Sequence, residues 1–255
     1  MSLLDYWDCI RLTRYKITLQ YDGSNYCGWQ LQKSVRTVQY FIEKALIKIA
    51  GCDHRIPVYG AGRTDKGVHA NGQVAHFDLD TRLPDDKLCD AFNGNLPIDC
   101  KVLAVEKTVP DFEARFHAVK RWYQYQCYTG QSLLYRNQAW MVKDLDVEKL
   151  NKMAKLILGE HDFLSFSKYC ESVNSTKSTI YHSQWEFDGE MVIYSIAGNR
   201  FLHHMVRYIV GTMVETVRGN CEYDDFISLL KNPAKNVHIY RAPACGLIMK
   251  RVDYE

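Results

Sequence analysis

The order of strand-like and helix-like segments constrains this fold more than any other feature of the sequence. In residues 15–21, apolar residues alternate with Lys16, Thr18 and Gln20, which predicts a half-buried strand. Apolar residues at three- and four-residue spacing then predict a helix that Thr37 caps and Gly51 ends. Further segments predict a short strand near residues 57–59, a strand over 73–79, a helix over 84–93 and a strand over 101–105. The resulting β-α-β-β-α-β order predicts a ferredoxin-like unit.

The second half of the chain repeats this kind of pattern after a pause near residues 109–111. The predicted elements are a strand over 121–128, a helix from the cap Asp146 to Gly159, a hairpin turned by Asp188 and Gly189, a long helix from about 200 to 217, a shorter one near 223–230 and a strand over 247–252. We therefore predict an α+β fold with two domains, residues 14–110 and 111–255, and a cleft where their sheets meet.

Charge and cysteine content narrow the class of protein. A formal net charge of only +2 in 255 residues means that any polyanion site must be a local patch. Nine scattered cysteines without a C-x-x-C spacing argue against a disulfide framework and a zinc knuckle, and favour the reducing cytoplasm. Asp5 and Asp8 interrupt the apolar N-terminus, which argues against a signal peptide, and no apolar run is long enough to predict a membrane span.

A charged, glycine-rich loop, GAGRTDKGVHA over residues 60–70, separates two predicted strands. Its glycines allow positive φ angles or close approach of another group, while Arg63, Asp65, Lys66 and His69 supply charge and hydrogen bonds. The simplest alternative is a solvated surface turn. The loop is not a Walker phosphate loop, because the lysine is not followed by Ser or Thr.

A second segment, RFHAVKRWYQY over residues 115–125, interleaves basic and aromatic side chains. Cations neutralise phosphates, and an aromatic face stacks an unpaired base for about 1 to 3 kcal/mol. The alternative is an ordinary strand, with Tyr123 and Tyr125 in the core and Lys120 and Arg121 in solvent.

The third segment, NRFLHHMVR over residues 199–207, lies at the start of the predicted long helix. His203 and Arg207 would share a helix face, and the arginine could pair with a carboxylate across the cleft and keep it ionised and aimed. Adjacent residues of a helix point about 100° apart, which disfavours a metal site at His203 and His204. Common protease and kinase motifs are absent, and the three segments together suit a nucleotide drawn out of its stack.

The chain resembles the TruA family of tRNA pseudouridine synthases over nearly its whole length. The motifs that carry the resemblance are YDG at 21–23 with GWQ at 28–30, AGRTDKGVH at 61–69, NGNLP at 93–97, ARF at 114–116 with YQY at 123–125, DFLSF at 162–166, FLHHMVR at 201–207 and APACGL at 242–247.

The resemblance implies a role for particular residues. Asp65 would be the catalytic aspartate that isomerises uridine to pseudouridine, by attack on the sugar carbon or by removal of the C2′ proton. Arg63 would enter the stem and fill the space of the flipped base, and Tyr123 would pack on the uracil and could take the C5 proton. Arg207 would pair with Asp65, and Leu247 would form an apolar wall. Further side chains, from these motifs and from the basic and aromatic segment 115–125, are expected to bind substrate: Lys66, His69, Arg115, Lys120, Arg121 and His203.

The family also implies a pseudouridine synthase fold with an extended, mainly antiparallel sheet, a homodimer and no cofactor or metal. The expected substrate is the anticodon stem-loop of tRNA at uridines 38, 39 and 40. Residues 1–13 and 168–179 depart from the family pattern. The alternatives are a synthase that acts at other RNA uridines and a non-catalytic tRNA-binding module. A metal-dependent hydrolase that uses Asp65 with His69 and His76 fails on spacing.

Overall fold

The computed structural model describes residues 12–169 and 174–255. The strands in this part of the chain are β1 (Thr13–Tyr21), β2 (Tyr59–Gly60), β3 (His69–Leu79), β4 (Cys100–Lys107), β5 (Ala118–Tyr128), β6 (Trp140–Met141), β7 (Gly159–Asp162), β8 (Lys177–Asp188), β9 (Met191–Gly198) and β10 (Leu247–Tyr254). The helices are α1 (Val38–Ala50), α2 (Asp85–Asn95), α3 (Val147–Leu156), α4 (Met205–Val217) and α5 (Tyr223–Lys231).

One large sheet runs through both halves of the chain in the order β4-β1-β3-β10-β5-β9-β8-β7, with β2 paired to β3 and β6 to β5. Within the first half, the four strands of the β-α-β-β-α-β unit stand in the spatial order fourth, first, third, second. In the second half, β10, β5, β9 and β8 repeat this order. The α+β class and the mainly antiparallel, duplicated sheet predicted from the sequence are confirmed.

The two halves join through β3 and β10, which are parallel, with Ile248 opposite His69 and Met249 opposite Ala70. On its other side β10 is antiparallel to β5, with Met249 opposite Tyr123. Since β3 begins directly after the charged loop, this junction places that loop beside the middle of β5. The domain boundary near residue 110 stays a prediction, because the sheet is continuous across it.

The core is likewise shared between the halves. One connected cluster of buried apolar side chains extends from Tyr15, Trp29 and Phe92 in the first half to Trp185 and Phe226 in the second. Helices α1 and α2 contact each other, and α3 contacts both β8 and α4. The shared core gives the junction a rigid base on which loops can hold functional groups.

Most predicted elements are confirmed, including the hairpin at Gly189, which has a φ of 62°, and the cap by Asp146, which accepts from the backbone N–H of Lys149. Thr37 takes the N-cap position of α1, but its side chain makes no capping hydrogen bond. The predicted start of the long helix near residue 200 is wrong. Helix α4 begins at Met205, because His204 has a φ of 64° and this left-handed backbone cannot continue a helix.

The helices and cysteines of the described residues bear on two of the sequence predictions. No helix among them is long and apolar enough to span a bilayer. Their seven cysteines are all free thiols. The remaining two, Cys9 and Cys170, lie outside the described residues, as do residues 1–11 and part of the departing segment 168–179.

Candidate active site

The charged loop between β2 and β3 is anchored at its base. The backbone N–H of Ala61 donates to Val74 (2.8 Å), and the side-chain amide of Gln73 donates to the carbonyl of Gly62 (2.8 Å). The carbonyl of Thr64 accepts from the Trp29 backbone (3.1 Å). These bonds hold the residues on both sides of Arg63, so the loop is an ordered support and not a solvated turn.

Glycine is required at two positions of the loop, for two different structural reasons. Gly67 has a φ of 81°, a conformation that side chains other than glycine rarely adopt. A Cβ atom at Gly60 would lie 2.6 Å from the indole ring of Trp29. Gly67 therefore allows a positive φ angle and Gly60 allows the close approach of Trp29, which are the two uses of glycine that the sequence predicted.

Asp65 lies at the centre of the loop, with a side chain that is 21% exposed. Arg207, on the first turn of α4, places its Nη1 atom 3.4 Å from Oδ2 of Asp65. The Nε–H of Arg207 donates to the carbonyl of Ala242 (2.9 Å), and the backbone of Ala242 donates back to the Arg207 carbonyl (3.0 Å). The arginine is thereby aimed at the carboxylate, and the predicted pair across the two halves is formed.

Two histidines complete the surroundings of this carboxylate. His203 Nε2 lies 3.5 Å from Asp65 Oδ1, and His204 Nε2 lies 3.4 Å from Asp65 Oδ2. They precede α4, so the helical 100° separation that argued against a shared ligand does not apply to them. Burial lowers the pKa of His204 to about 4; the Asp65 carboxylate opposes this shift, and His203, Arg207 and Arg241 lower the pKa further. His204 is therefore neutral at neutral pH.

Tyr123 and Leu247 form an apolar side of the site. Tyr123 is 8% exposed and packs edge-on against Phe201, with ring centroids 5.2 Å apart. Burial raises the pKa of Tyr123 to about 12, so the side chain is a neutral phenol. Leu247, the first residue of β10, is also buried.

A cleft of about 1850 Å³ opens over these residues. Eight of the eleven predicted site residues line it: Arg63, Asp65, Lys66, Arg115, Arg121, Tyr123, His203 and Leu247. A second cavity, of about 520 Å³, shares Asp65, Lys66 and His204 with the cleft and adds Arg207 and Arg241. Asp65 is thus accessible at the meeting point of the two cavities.

The other two predicted residues, His69 and Lys120, line neither cavity. His69 is buried, and its Nδ1 atom accepts from the backbone N–H of Gly23 (3.0 Å) beside the Asp22 carboxylate (3.1 Å). Lys120 lies over the ring of Tyr181, with Nζ 5.1 Å from the centroid. These positions favour support of the site for His69 and a place at its edge for Lys120.

Arg121 lies at the cleft, but its guanidinium faces inward. Nη1 donates to the carbonyls of Asn199 (2.6 Å) and Ala118 (2.9 Å), and Nη2 donates to those of Ala61 (3.3 Å) and Arg115. Every N–H of the two terminal nitrogens therefore has a backbone partner. This geometry favours a structural role over phosphate binding, and it ties the start of the charged loop to β5.

The predicted site residues did not include a group of exposed aromatic residues around the cleft, although one of them, Phe116, lies in the basic and aromatic segment 115–125. Tyr59, Phe116, Tyr169 and Tyr181 are 56%, 76%, 46% and 50% exposed and line the cleft wall. Cations lie over three of their rings: Arg115 over Phe116, Lys235 over Tyr169 and Lys120 over Tyr181. The signal was the direct neighbourhood of basic and aromatic residues in RF at 115–116 and KY at 168–169.

His204 and Arg241 were also missed as members of the site. The Nη1 atom of Arg241 is 3.3 Å from Nδ1 of His204, which makes Nδ1 the acceptor and places the proton of the neutral ring on Nε2. The positive φ angle that turns His204 toward Asp65 is not visible in the sequence.

The site is thus built around one carboxylate in a cleft with cationic and aromatic walls, which defines an enzyme site suited to a polyanionic, ring-bearing substrate. The family model described as tRNA pseudouridine synthase matches residues 17–117 and 153–255. Several curated relatives named tRNA pseudouridine synthase A are similar over nearly the full chain. The protein from Ehrlichia chaffeensis is 41% identical over 94% of this chain and 100% of its own length. The protein from Limosilactobacillus fermentum is 40% identical over 95% and 96%.

The chain belongs to the tRNA pseudouridine synthase family, an isomerase family, and the family and fold predicted from the sequence are confirmed. Among solved structures, a chain in the crystal structure of a Cbf5-Nop10-Gar1 complex is 11% identical, with a TM-score of 0.39, and the match covers 92% of this chain and 57% of that chain.

Proposed function

We propose that this enzyme isomerises uridine to pseudouridine at positions 38, 39 and 40 in the anticodon stem-loop of tRNA, in the cytoplasm and as a homodimer. The observation that carries the proposal is Asp65, which is partly exposed in the cleft, faces Arg207 at 3.4 Å and has Tyr123 and Leu247 beside it. The free thiols of the described cysteines support a reducing compartment.

The reaction breaks the bond between N1 of uracil and C1′ of the sugar and joins C5 to C1′. The C5 proton leaves and N1 gains a proton, so substrate and product are isomers. A single carboxylate suffices for two routes, attack on C1′ or removal of the C2′ proton. Arg207 supports either one, because it fixes the position of Asp65 before the substrate binds.

Tyr123 has a narrower role in the free enzyme. A phenol with a pKa of about 12 is protonated at neutral pH, so in the free enzyme it can pack against uracil and donate a hydrogen bond, and it can take the C5 proton only after its own proton has left. The Tyr123 ring suits the detached uracil, which must be held by a flat apolar surface while it turns.

The walls of the cleft support binding of an RNA stem-loop. Arg63 is exposed between the anchored residues Gly62 and Thr64, so its side chain can reach out while its backbone is held. Lys66 and Arg115 can contact phosphates, and Phe116 or Tyr181 can stack unpaired bases. Unstacked bases and close phosphates occur together in a stem-loop.

The test is release of tritium from tRNA labelled at C5 of uridine, with wild type, Asp65→Asn and the control Asp80→Asn. Asp80 is an exposed carboxylate just after β3. We expect Asp65→Asn to bind tRNA as wild type does but to show no turnover, and we expect normal activity of Asp80→Asn.

A series of tRNA substrates with a single uridine at 38, 39 or 40 then tests which positions are modified, and modification elsewhere would favour the alternative synthase. Binding without release by wild type would favour the non-catalytic module.

Two exposed leucines near the smaller cavity support the proposed homodimer. Leu133 and Leu134, in the loop between β5 and β6, are 79% and 85% exposed, and Asn137 of the same loop lines the smaller cavity. A second copy that covers these leucines would lie next to the active site. We expect Leu134→Asp to shift the molar mass measured by light scattering from dimer to monomer. Ile98→Asp, at another exposed apolar residue, should leave the mass unchanged.

A further inference from the structure

The contacts of Asp65 with His203 and His204 have an unusual geometry. At 3.5 and 3.4 Å they are longer than N–H···O hydrogen bonds, which usually span about 2.7 to 3.2 Å. Two ligands about 2.1 Å from one tetrahedral metal ion are instead about 3.4 Å apart. The ligand atoms of the three residues all lie within 4.8 Å of one another. His203 faces Oδ1 and His204 faces Oδ2, so the two distances reach different oxygens of one carboxylate, and the three residues are close enough together to bind a single ion.

We propose that Asp65, His203 and His204 form a binding site for a transition-metal ion of the Zn²⁺ class, and that the bound ion inhibits the enzyme. Two imidazole nitrogens and one carboxylate oxygen form a donor set that Zn²⁺, Co²⁺ and Cu²⁺ prefer over Mg²⁺ or Ca²⁺. His203 is half exposed, so the ion can enter from the cleft and keep its fourth position for water.

Two neighbouring arginines lower the affinity of this site for a metal ion. Arg207 lies 3.4 Å from Asp65, and Arg241 lies 3.3 Å from Nδ1 of His204, so an incoming cation meets two positive charges. In the free enzyme the donor Arg241 keeps the His204 proton on Nε2, the atom that a metal needs. Metal binding must move that proton to Nδ1 and displace Arg241, which is an exposed residue and can swing into solvent. The arginines therefore weaken the site without closing it.

Inhibition follows from the identity of the third ligand. A metal-bound Asp65 carboxylate can neither attack C1′ nor remove the C2′ proton, because its lone pair is held by the ion. The inhibitory effect rests on the proposed role of Asp65. Binding of the metal does not depend on that role and is measured separately.

The experiment titrates the full-length protein with Co²⁺, whose tetrahedral complexes absorb visible light, and then displaces the Co²⁺ with Zn²⁺. Three variants are compared with wild type: the double variant His203→Ala/His204→Ala, Arg241→Ala, and the control His54→Ala at an exposed histidine. Tritium release is measured in parallel over the same Zn²⁺ range and after addition of a chelator.

We expect one Co²⁺ per chain, an affinity at least about tenfold lower in the double variant, and tighter binding in Arg241→Ala because a competing cation and donor are gone. Zn²⁺ should stop tritium release in the range where it displaces Co²⁺, and the chelator should restore release. The site is refuted if the visible band persists in the double variant or if thiolate-to-cobalt charge transfer appears. Full turnover with Zn²⁺ bound would refute the inhibition. An enzyme inactive even with chelator would refute the proposed function, while the spectra would still decide the site.

Discussion

Replacement of Arg121 distinguishes phosphate binding from support of the fold, because the two roles predict opposite effects on stability and on tRNA binding. A phosphate-binding arginine can be removed with little effect on the fold, whereas the structure places this guanidinium among four backbone carbonyls. Burial lowers the pKa of Arg121 below that of a solvated arginine, but the group stays charged at any physiological pH. The variant Arg121→Met keeps much of the aliphatic length and removes every donor.

The expected loss in the free energy of unfolding follows from the four hydrogen bonds of the Arg121 guanidinium. The bonds to Asn199 (2.6 Å) and Ala118 (2.9 Å) are short and partly buried, and hydrogen bonds to a charged group contribute about 1.5 to 3 kcal/mol each. The bond to Ala61 is long at 3.3 Å, and the Arg115 carbonyl is exposed and can turn to water. We expect Arg121→Met to lower the free energy of unfolding by about 3 to 4 kcal/mol.

Two assays measure the outcome. Urea unfolding gives the change in stability, and tRNA binding over a salt series counts phosphate contacts, because each lost contact lowers the slope by about one. Arg121→Met should leave that slope unchanged at a temperature where the variant is folded. Arg115→Met, at an exposed arginine of the same cleft, should lower the slope by about one and change stability by less than about 0.5 kcal/mol.

The reverse pattern would refute the structural assignment. If Arg121→Met kept its stability within about 0.5 kcal/mol and lost one unit of salt slope, then Arg121 binds phosphate as the sequence predicted.

Three further predictions concern the support of the site. Gly67→Ala should cost about 1 to 2 kcal/mol in urea unfolding, since φ is 81° and the new Cβ would lie 3.2 Å from Ala244 Cβ; no loss would contradict the positive φ angle. Tyr21→Phe should cost about 1 kcal/mol, because it removes the buried hydroxyl contact with Thr64 Oγ1 (2.9 Å), and the loss should vanish in a Thr64→Val background. Burial lowers the pKa of His76 below the unfolded value of 6.5, so its contribution is complete above pH 6.5 and lost as pH falls further. Unfolding at pH 7 and pH 5 should show a smaller difference in His76→Asn than in wild type, and an equal difference would contradict a buried neutral imidazole.

Most of the local structure was predictable because it follows from periodicity and from turn chemistry. The alternation in β1, the spacing in α1 and the Asp146 cap of α3 depend on residues that are neighbours in sequence. The duplicated β-α-β-β-α-β order was visible for the same reason. The AGRTDKGVH motif pointed to Asp65 through its resemblance to a family, and not through any physical property of an isolated aspartate.

The sequence by itself therefore determined the elements, their order and the family. Only the tertiary structure decided which charged groups meet. The left-handed backbone of His204 delays the start of the predicted helix to Met205, and both imidazoles lie beside Asp65. The guanidinium of Arg121, predicted to bind phosphate, points inward and donates to backbone carbonyls. Both outcomes depend on β10, which pairs with β3 and β5 and brings segments more than a hundred residues apart into contact. Long-range pairing of this kind is set by the packing of the whole sheet, and no local pattern in the chain encodes it.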